Sequence, residues 1–359
     1  MSAAPAMAGH DGDGADDSVL SGASNVHLSL SGQVNRGVLF VDDGNQTEIL
    51  HVDNDNSSTR FRLIGSADYN EDISIGSVIE VQFESNSTAD IKIDGSAPGG
   101  NNSFTERKLE LYFDHKRFGR LWLGQGDTAS NGSSEVDLSG TGVIGYSGVT
   151  DMAGGIEFQD AGVAGPTIGS ALSNFDGLSR DDRIRYDTPK FGGFQLSVSH
   201  ADSRKSDIAA RFSGDVGAGL KVAAAVAYAV NGDVDSQING SLSVRHESGF
   251  NVTGAAGTRD MQVGAVNSTR DPFFWDVKVG YIWGGGIGDT AFAIDFIQAD
   301  EVASTSANDE ATSYGAFVVQ AVDKIGTELY LGARQYQLDR VGSNFDDVTA
   351  VMAGARVKF

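Results

Sequence analysis

The chain has 359 residues, with 49 acidic and 26 basic side chains, 47 glycines, 5 prolines and no cysteine, and its formal net charge is -23. This balance argues against general nucleic-acid binding, because affinity for phosphates needs concentrated Lys and Arg. The absence of cysteine excludes disulfides and cysteine-ligated zinc. A content of 40% hydrophobic residues indicates a folded chain. No window approaches 18 uncharged apolar residues, which excludes a transmembrane helix.

The first 25 residues carry no strand pattern and include an acidic run at 10–17. We predict that residues 1–25 form a disordered acidic leader. The first eight residues lack the basic and apolar regions of an intact signal peptide. Because one strand pattern runs through the rest of the chain, we predict a single domain over residues 26–359.

From about residue 27 to the end, apolar and polar residues alternate with a period of two, which is typical of strands. In one example, Trp275, Val277 and Tyr281 lie on one face and Asp276 and Lys278 lie on the other. The pattern predicts sixteen strands, which begin near residues 27, 59, 73, 104, 120, 182, 194, 206, 219, 236, 250, 273, 290, 312, 327 and 348.

The connections alternate between short turns and long polar links. The long links are 42–58, 85–103, 129–181, 259–271, 299–311 and 337–347. This alternation is typical of an up-and-down meander in which one rim has short turns and the other has long loops. Link 129–181 is the longest, and a loop of this length in a compact protein usually serves the function.

Alternation alone does not separate a soluble sandwich from a membrane barrel, because both have one apolar face. Two further features favour an all-β transmembrane antiparallel barrel. Acidic and basic residues share the polar faces, as in a water-filled lumen, and aromatic residues gather near strand ends, as in interfacial girdles. The competing interpretation is that these aromatic residues belong to the core of a sandwich.

Four stretches resemble the general porins of Gram-negative bacteria. They are LSLSGQVNRGVLFVDDG at 28–44, FGRLWLGQGD at 118–127, RIRYDTPKFGGFQLSVSH at 183–200 and ARVKF at 355–359. The resemblance implies a sixteen-stranded outer-membrane barrel with short periplasmic turns and long extracellular loops. It implies a homotrimer that lets ions and small hydrophilic solutes diffuse passively. It also implies contacts with outer-membrane lipid and lipopolysaccharide, and a terminal Phe359 that the outer-membrane assembly machinery reads.

In this family the loop equivalent to 129–181 folds into the lumen and narrows it. We therefore expect acidic residues of the loop to face basic residues of the wall, which would create a field across the constriction. The expected acidic set is Asp127, Glu135, Asp137 and Asp151. The expected basic set is Arg60, Arg62, Lys108, Arg183 and Arg185, with Arg36 if a bulge turns it inward. The alternative for Arg60 and Arg62 is a solvent-exposed sheet face.

Other functions receive less support. The acidic long loops could bind Ca²⁺, which prefers clustered carboxylates, but plain solubility is the preferred interpretation, and we expect no cofactor and no dedicated metal site. The chain has no H-E-x-x-H, no G-x-S-x-G and no phosphate-binding glycine loop, so we expect no enzyme. The alternatives are a non-transporting surface protein that acts as an adhesin through its loops, and a hydrolase that uses His200 or His246.

Overall fold

The computed structural model describes residues 26–97, 103–202, 204–232, 234–261, 271–302 and 309–359. The predicted leader, residues 1–25, lies outside these ranges. Within them the chain forms nineteen strands: β1 (Val26–Asp42), β2 (Thr47–Asp53), β3 (Arg60–Asn70), β4 (Ile73–Glu84), β5 (Ser103–His115), β6 (Gly119–Asp127), β7 (Glu157–Asp160), β8 (Val163–Thr167), β9 (Arg180–Asp187), β10 (Phe194–Ala201), β11 (Lys205–Asp215), β12 (Leu220–Val230), β13 (Val234–His246), β14 (Phe250–Met261), β15 (Phe273–Trp283), β16 (Thr290–Asp300), β17 (Glu310–Val322), β18 (Thr327–Asp339) and β19 (Val348–Lys358).

Sixteen of these strands close into an antiparallel barrel. β1 pairs with β19 on one side and with β3 on the other, and each remaining wall strand pairs with the wall strands before and after it. These sixteen strands are the ones that the alternation predicts, and each begins within two residues of its predicted start. β2 is an additional strand that pairs with residues 36–42 of β1, whereas β3 pairs with residues 26–33 of the same strand. The prediction that 42–58 is only a polar link was therefore wrong.

The barrel is apolar on the outside and polar on the inside. The outward side chains of β16 include Phe292 and Ile294, which are 47% and 63% exposed, whereas the inward Asp295 is buried. A soluble sandwich would bury those apolar side chains instead. No helix among the described residues is long and apolar enough to cross a membrane.

The segment between β6 and β9, residues 128–179, is folded rather than structureless. It contains the two-stranded sheet of β7 and β8, two short helical turns, Val149–Met152 and Ile168–Ala171, and several tight turns. We call it the constriction loop.

Candidate functional site in the barrel lumen

The constriction loop lies inside the barrel and packs on one part of its wall. Its Ile144, Phe158 and Leu172 are almost fully buried in one apolar cluster with Phe274 and Phe317 of the wall. Tyr336 of β18 also belongs to this cluster and donates a 2.8 Å hydrogen bond to the carbonyl of Val149. The loop is thus fixed by a hydrophobic core that fills part of the lumen, and the remaining space forms the pore.

Polar side chains hold the beginning of the loop. Arg185 of β9 donates to the carbonyl of Thr128 at 2.9 Å, and Asp207 of β11 accepts from the amide of Ser130 at 2.8 Å. Arg183 donates to the carbonyl of Asp127 at 2.9 Å and forms an ion pair with Glu110 of β5. Arg183 and Arg185 therefore hold the chain where it leaves the wall, and this contact explains why two arginines stand at i and i+2.

A second inward segment meets the middle of the loop. Between β2 and β3 the chain turns into the lumen at 54–58, and the buried Asn54 donates a 2.7 Å hydrogen bond to the carbonyl of Val143. Thr88, in the connection after β4, donates to the carbonyl of Asp151. At Gly155 an added Cβ would lie 2.3 Å from the carbonyl oxygen of Asp90, so the two backbones approach too closely for a side chain there. Sequence reasoning placed 42–58 and 85–103 among the long links and missed this contact.

A group of basic side chains lies on the adjoining wall. Arg62 of β3 and Arg107 of β5 donate to the two oxygens of Glu80 at 2.6 Å and 2.7 Å. Arg60 lies within electrostatic range of Arg62 and Arg107. Two of the expected residues, Arg60 and Arg62, are therefore brought together with Arg107, which sequence reasoning did not name.

Lys108 extends this basic wall toward the loop. It forms an ion pair with Asp127, the last residue of β6, and Arg180 approaches the other oxygen of Asp127 at 3.1 Å. Asp127 thus lies among the basic residues rather than across the pore from them. We use "basic wall" for Arg60, Arg62, Arg107, Lys108 and Arg180. Arg180 could have been noted from the sequence because it lies three residues before Arg183.

The other three expected acids occupy different places in the loop. Asp137 accepts from Lys278 of β15 at 2.7 Å, so it is an anchor on the wall. Glu135 accepts from Asn174 at 3.1 Å within the loop. Asp151 accepts from the hydroxyl of Tyr146. Glu135 lies within electrostatic range of Asp151 and of Arg180 in the basic wall, whereas Asp137 is held at the wall by Lys278.

Two loop carboxyls have raised pKa values. Burial raises the pKa of Asp151 to about 8, and the Asp55 carboxylate adds to the effect. Burial also raises the pKa of Asp176 to about 7, assisted by Glu135, although the amides of Gly132 and Ser134 donate to its carboxylate and oppose the rise. These two groups consequently carry less negative charge at neutral pH than the sequence suggests.

Arg36 is not part of the lumen. β1 runs in regular register with β2 and β19 through this position, so no bulge turns the side chain inward. It lies on the outer face, 47% exposed, and forms an ion pair with Asp53. The conditional assignment of Arg36 to the constriction was therefore wrong. Phe359 is 65% exposed at the rim, and its backbone exchanges two hydrogen bonds with Gly32 of β1.

The acidic loops do not form a metal-binding arrangement in the part of the chain that the structure describes, where no group of three or more His, Asp or Glu side chains could hold an ion. Asp309 instead forms an ion pair with Arg340, which donates to both of its carboxylate oxygens at 2.9 Å and 2.8 Å. Asp43 accepts from the amides of Asn45 and Gln46 and so stabilises its own turn.

The barrel, the inward loop and the charged lumen can be compared with known proteins. The sequence model of the family described as Gram-negative porin matches residues 1–340. The chain belongs to the Gram-negative porins. No curated protein sequence matches it.

Solved structures show the same fold in other porins and outer-membrane proteins. The anion-selective porin from Comamonas acidovorans superposes with a TM-score of 0.61 at 15% identity, over 93% of this chain and 100% of that one. OmpF of Salmonella typhi, in complex with daunomycin, gives 0.59 at 14% identity over 92% and 97%. OmpT of Vibrio cholerae in its trimer form gives 0.58 at 12% identity over 93% and 100%. The porin is thus an outer-membrane β-barrel of the diffusion-channel class.

Proposed function

We propose that the pore of this porin passes ions and small hydrophilic solutes by passive diffusion between the basic wall and the constriction loop. The observation that carries the proposal is the position of the basic wall. Its side chains are held on the lumen face by Glu80 and Asp127, and they lie beside a loop that fills part of the lumen. A lumen with fixed charges is favourable for hydrated polar solutes and unfavourable for apolar ones.

The arrangement of charge distinguishes this pore from a simple pair of opposed faces. Basic and acidic side chains alternate along the lumen face of neighbouring strands: Arg62 and Arg107 flank Glu80, and Lys108 and Arg180 flank Asp127. Each acid is shared between two bases, so this part of the wall keeps a net positive charge. We propose that this excess sets the ion preference at the narrowest part, while the acidic loops act at the mouth.

Planar-bilayer recording of the detergent-purified protein tests the proposal. We expect stepwise conductance increases, with a reversal potential in a salt gradient that changes when the basic wall is neutralised. A membrane that stays electrically tight at all voltages would favour the adhesin alternative, in which the loops bind a partner and the barrel transports nothing.

We further propose that the porin is a homotrimer that contacts lipid and lipopolysaccharide and is recognised by the assembly machinery through Phe359. The trimer form of OmpT supports the oligomeric state, because that protein shares the fold. Conductance steps in groups of three and a trimer mass in native mass spectrometry are the expected results. A monomeric mass together with single steps would contradict the trimer.

We also propose that the porin is not an enzyme and needs no cofactor. His200 contacts Ser206 and His246 contacts Ser248, each at 2.8 Å and each in an exposed position. Both pairs lie outside the lumen site described above. Ester hydrolysis by the purified protein that is lost on replacing either histidine would contradict this proposal.

A further inference from the structure

A buried ionic cluster lies on the wall beneath the constriction loop. It consists of Asp276 and Lys278 of β15, Asp295 of β16, Arg334 of β18 and Asp137 of the loop. We call it the wall clamp. Arg334 donates to Asp295 at 2.7 Å, and Lys278 donates to Asp137 at 2.7 Å and to the carbonyl of Gly145 at 2.5 Å. Lys278 is thus the member that joins the wall to the loop.

The two contacts of Lys278 are protected from solvent. Its side chain is 2% exposed and that of Asp137 is 9% exposed. Phe317 packs against both cations, with the Lys278 ammonium 5.7 Å and the Arg334 guanidinium 5.1 Å from the ring centroid. The loop closes over this ring, since a Cβ added to Gly145 would lie 2.5 Å from it. If the ion pair between Lys278 and Asp137 is broken, water can therefore hardly reach either charge to solvate it.

The charge balance of the clamp makes Lys278 hard to replace. Three carboxylates, Asp137, Asp276 and Asp295, share two cations, Lys278 and Arg334. One oxygen of Asp276 and one of Asp295 have no hydrogen-bond partner among the described residues and are buried. Loss of Lys278 would leave the buried carboxyl groups of Asp137, Asp276 and Asp295 with Arg334 as their cation, while Ser139 still donates to Asp137. The loop can relieve this state by moving away and admitting water.

We infer that Lys278 is a positioning residue that fixes the constriction loop against the wall and so sets the pore width and its steadiness. This inference rests on the proposed function. It differs from the anchoring by Arg183 and Arg185, which hold the beginning of the loop, because the clamp acts at its middle. Without the clamp, the middle of the loop keeps the hydrogen bonds from the amides of Val136 and Leu138 to Ser241 and Ser243 of β13. It therefore leaves the wall more often rather than permanently, while the barrel stays intact.

Spin-label mobility tests the inference directly. The chain has no cysteine, so a label can be attached to Gly142→Cys alone, where an added Cβ meets nothing within 4 Å. We expect an immobilised spectrum in the otherwise unchanged protein and a mobile component in Lys278→Met. Removal of one partner of a buried pair should raise the released population by roughly a hundredfold or more. A label on Gly286→Cys, in the turn after β15 where an added Cβ also meets nothing, should not respond.

Three further variants separate positioning from general damage. Asp137→Ala breaks the same contact from the loop side and should give the same mobile component. Lys278→Arg keeps a cation and should restore much of the immobilisation. Lys205→Met removes a lysine from a more exposed ion pair with Asp181 and is the matched control. Heat-modified mobility on gels reports whether each barrel has folded, so a folded Lys278→Met with an unchanged label spectrum would overturn the inference.

Open-channel current noise connects the clamp to permeation. We expect larger current fluctuations and closure at a lower voltage for Lys278→Met than for Lys205→Met. Absence of conductance in the unsubstituted protein would contradict the proposed function. The spin-label experiment would still test the wall clamp, because it does not depend on conductance. Normal conductance with an immobile label in Lys278→Met would contradict only the clamp.

Discussion

Arg107 and Lys108 are consecutive residues of β5, yet both side chains make lumen contacts, Arg107 with Glu80 and Lys108 with Asp127. In a regular strand, successive side chains point to opposite faces. Here the register between β4 and β5 shifts, because Glu80 pairs with Lys108 whereas Val81 pairs with Glu106. The bulge leaves Arg107 unpaired in the ladder and adds one cation to the basic wall.

Neutralising the two guanidinium groups that flank Glu80 should change ion preference. Arg62→Gln with Arg107→Gln removes two of the five cations of the basic wall and leaves Glu80 with only Arg60 and Lys108 as basic neighbours in that wall. We expect the reversal potential in a salt gradient to move toward cation preference. The shift should be smaller at high salt, because the screening length is about 8 Å at physiological ionic strength and shortens as salt is added.

The matched control is Arg120→Gln. Arg120 lies on the lumen side near the short-turn rim, where it pairs with Asp114 at 3.0 Å. It should alter the reversal potential much less, because it is remote from the basic wall along the barrel axis. Equal shifts in the two proteins would show that the pore senses total charge rather than charge at the constriction.

Arg183 should matter for stability more than for selectivity. Its side chain is 2% exposed and that of its partner Glu110 is 3% exposed, so Arg183→Gln leaves a buried carboxylate without its cation. We expect a loss of about 3–5 kcal/mol in the free energy of unfolding. Urea unfolding of the refolded protein in detergent measures it.

The partially exposed Arg62, at 30% side-chain exposure, serves as the comparison for Arg183. Arg62→Gln should cost clearly less, because the buried Glu80 carboxylate keeps its ion pair with Arg107. The double variant Arg183→Gln with Glu110→Gln should recover part of the loss, since it removes the stranded charge. A loss for Arg183→Gln no larger than that for Arg62→Gln would contradict the role assigned to this pair.

The strands were predictable because the barrel imposes one rule on all sixteen of them. Each wall strand touches an apolar phase on one side and a polar lumen on the other, so the period of two runs along every strand, as in Trp275 to Tyr281. Local sequence is enough to detect such a rule. The start of each strand followed because turns with Gly and Asp interrupt the alternation.

The charged site was less predictable, because it depends on contacts between distant segments. Alternation places Lys278 on the polar face of β15, but its partner Asp137 is 141 residues away. The inward turn at 54–58 and the bulge at Arg107 interrupt the local pattern, because Asn54 contacts Val143 of the loop and Arg107 forms an ion pair with Glu80. Even the buried Ile144 and Phe158 looked like ordinary loop residues, since they pack inside a lumen that the alternation predicts to be polar.

Ion preference should depend on pH in the range where Asp151 and Asp176 ionise. Their pKa values in the folded protein are about 8 and about 7, so raising the pH from 6 to 9 adds negative charge to the constriction loop. We expect the reversal potential to move toward cation preference across that range. Asp151→Asn should remove the part of the shift that lies near pH 8.

The same carboxyl should affect stability with a definite sign. The pKa of Asp151 is higher in the folded protein than its ordinary value of 3.8, so the folded state binds more protons above pH 4. Its contribution is fully present below about pH 4 and is lost as the pH rises toward 8. Thermal unfolding in detergent should show Asp151→Asn gaining stability relative to the parent protein as the pH rises, and a constant difference from pH 4 to 9 would contradict the assignment.

Asn54 should help to control the width of the pore, because it holds the loop through a segment that is separate from the wall clamp. Its side chain is fully buried, donates to the carbonyl of Val143 and accepts from the amide of Asn56. Asn54→Ala leaves the Val143 carbonyl and the Asn56 amide unpaired, which should cost about 1–3 kcal/mol for each buried group that finds no new partner. Because the loop can satisfy its carbonyl by moving into water, we expect a larger single-channel conductance with larger current fluctuations.

The control is Asn45→Ala, at an exposed position in the turn before β2, which should leave the conductance unchanged. An unaltered conductance in a folded Asn54→Ala barrel would show that the clamp at Lys278 and the apolar core hold the loop without help from this turn.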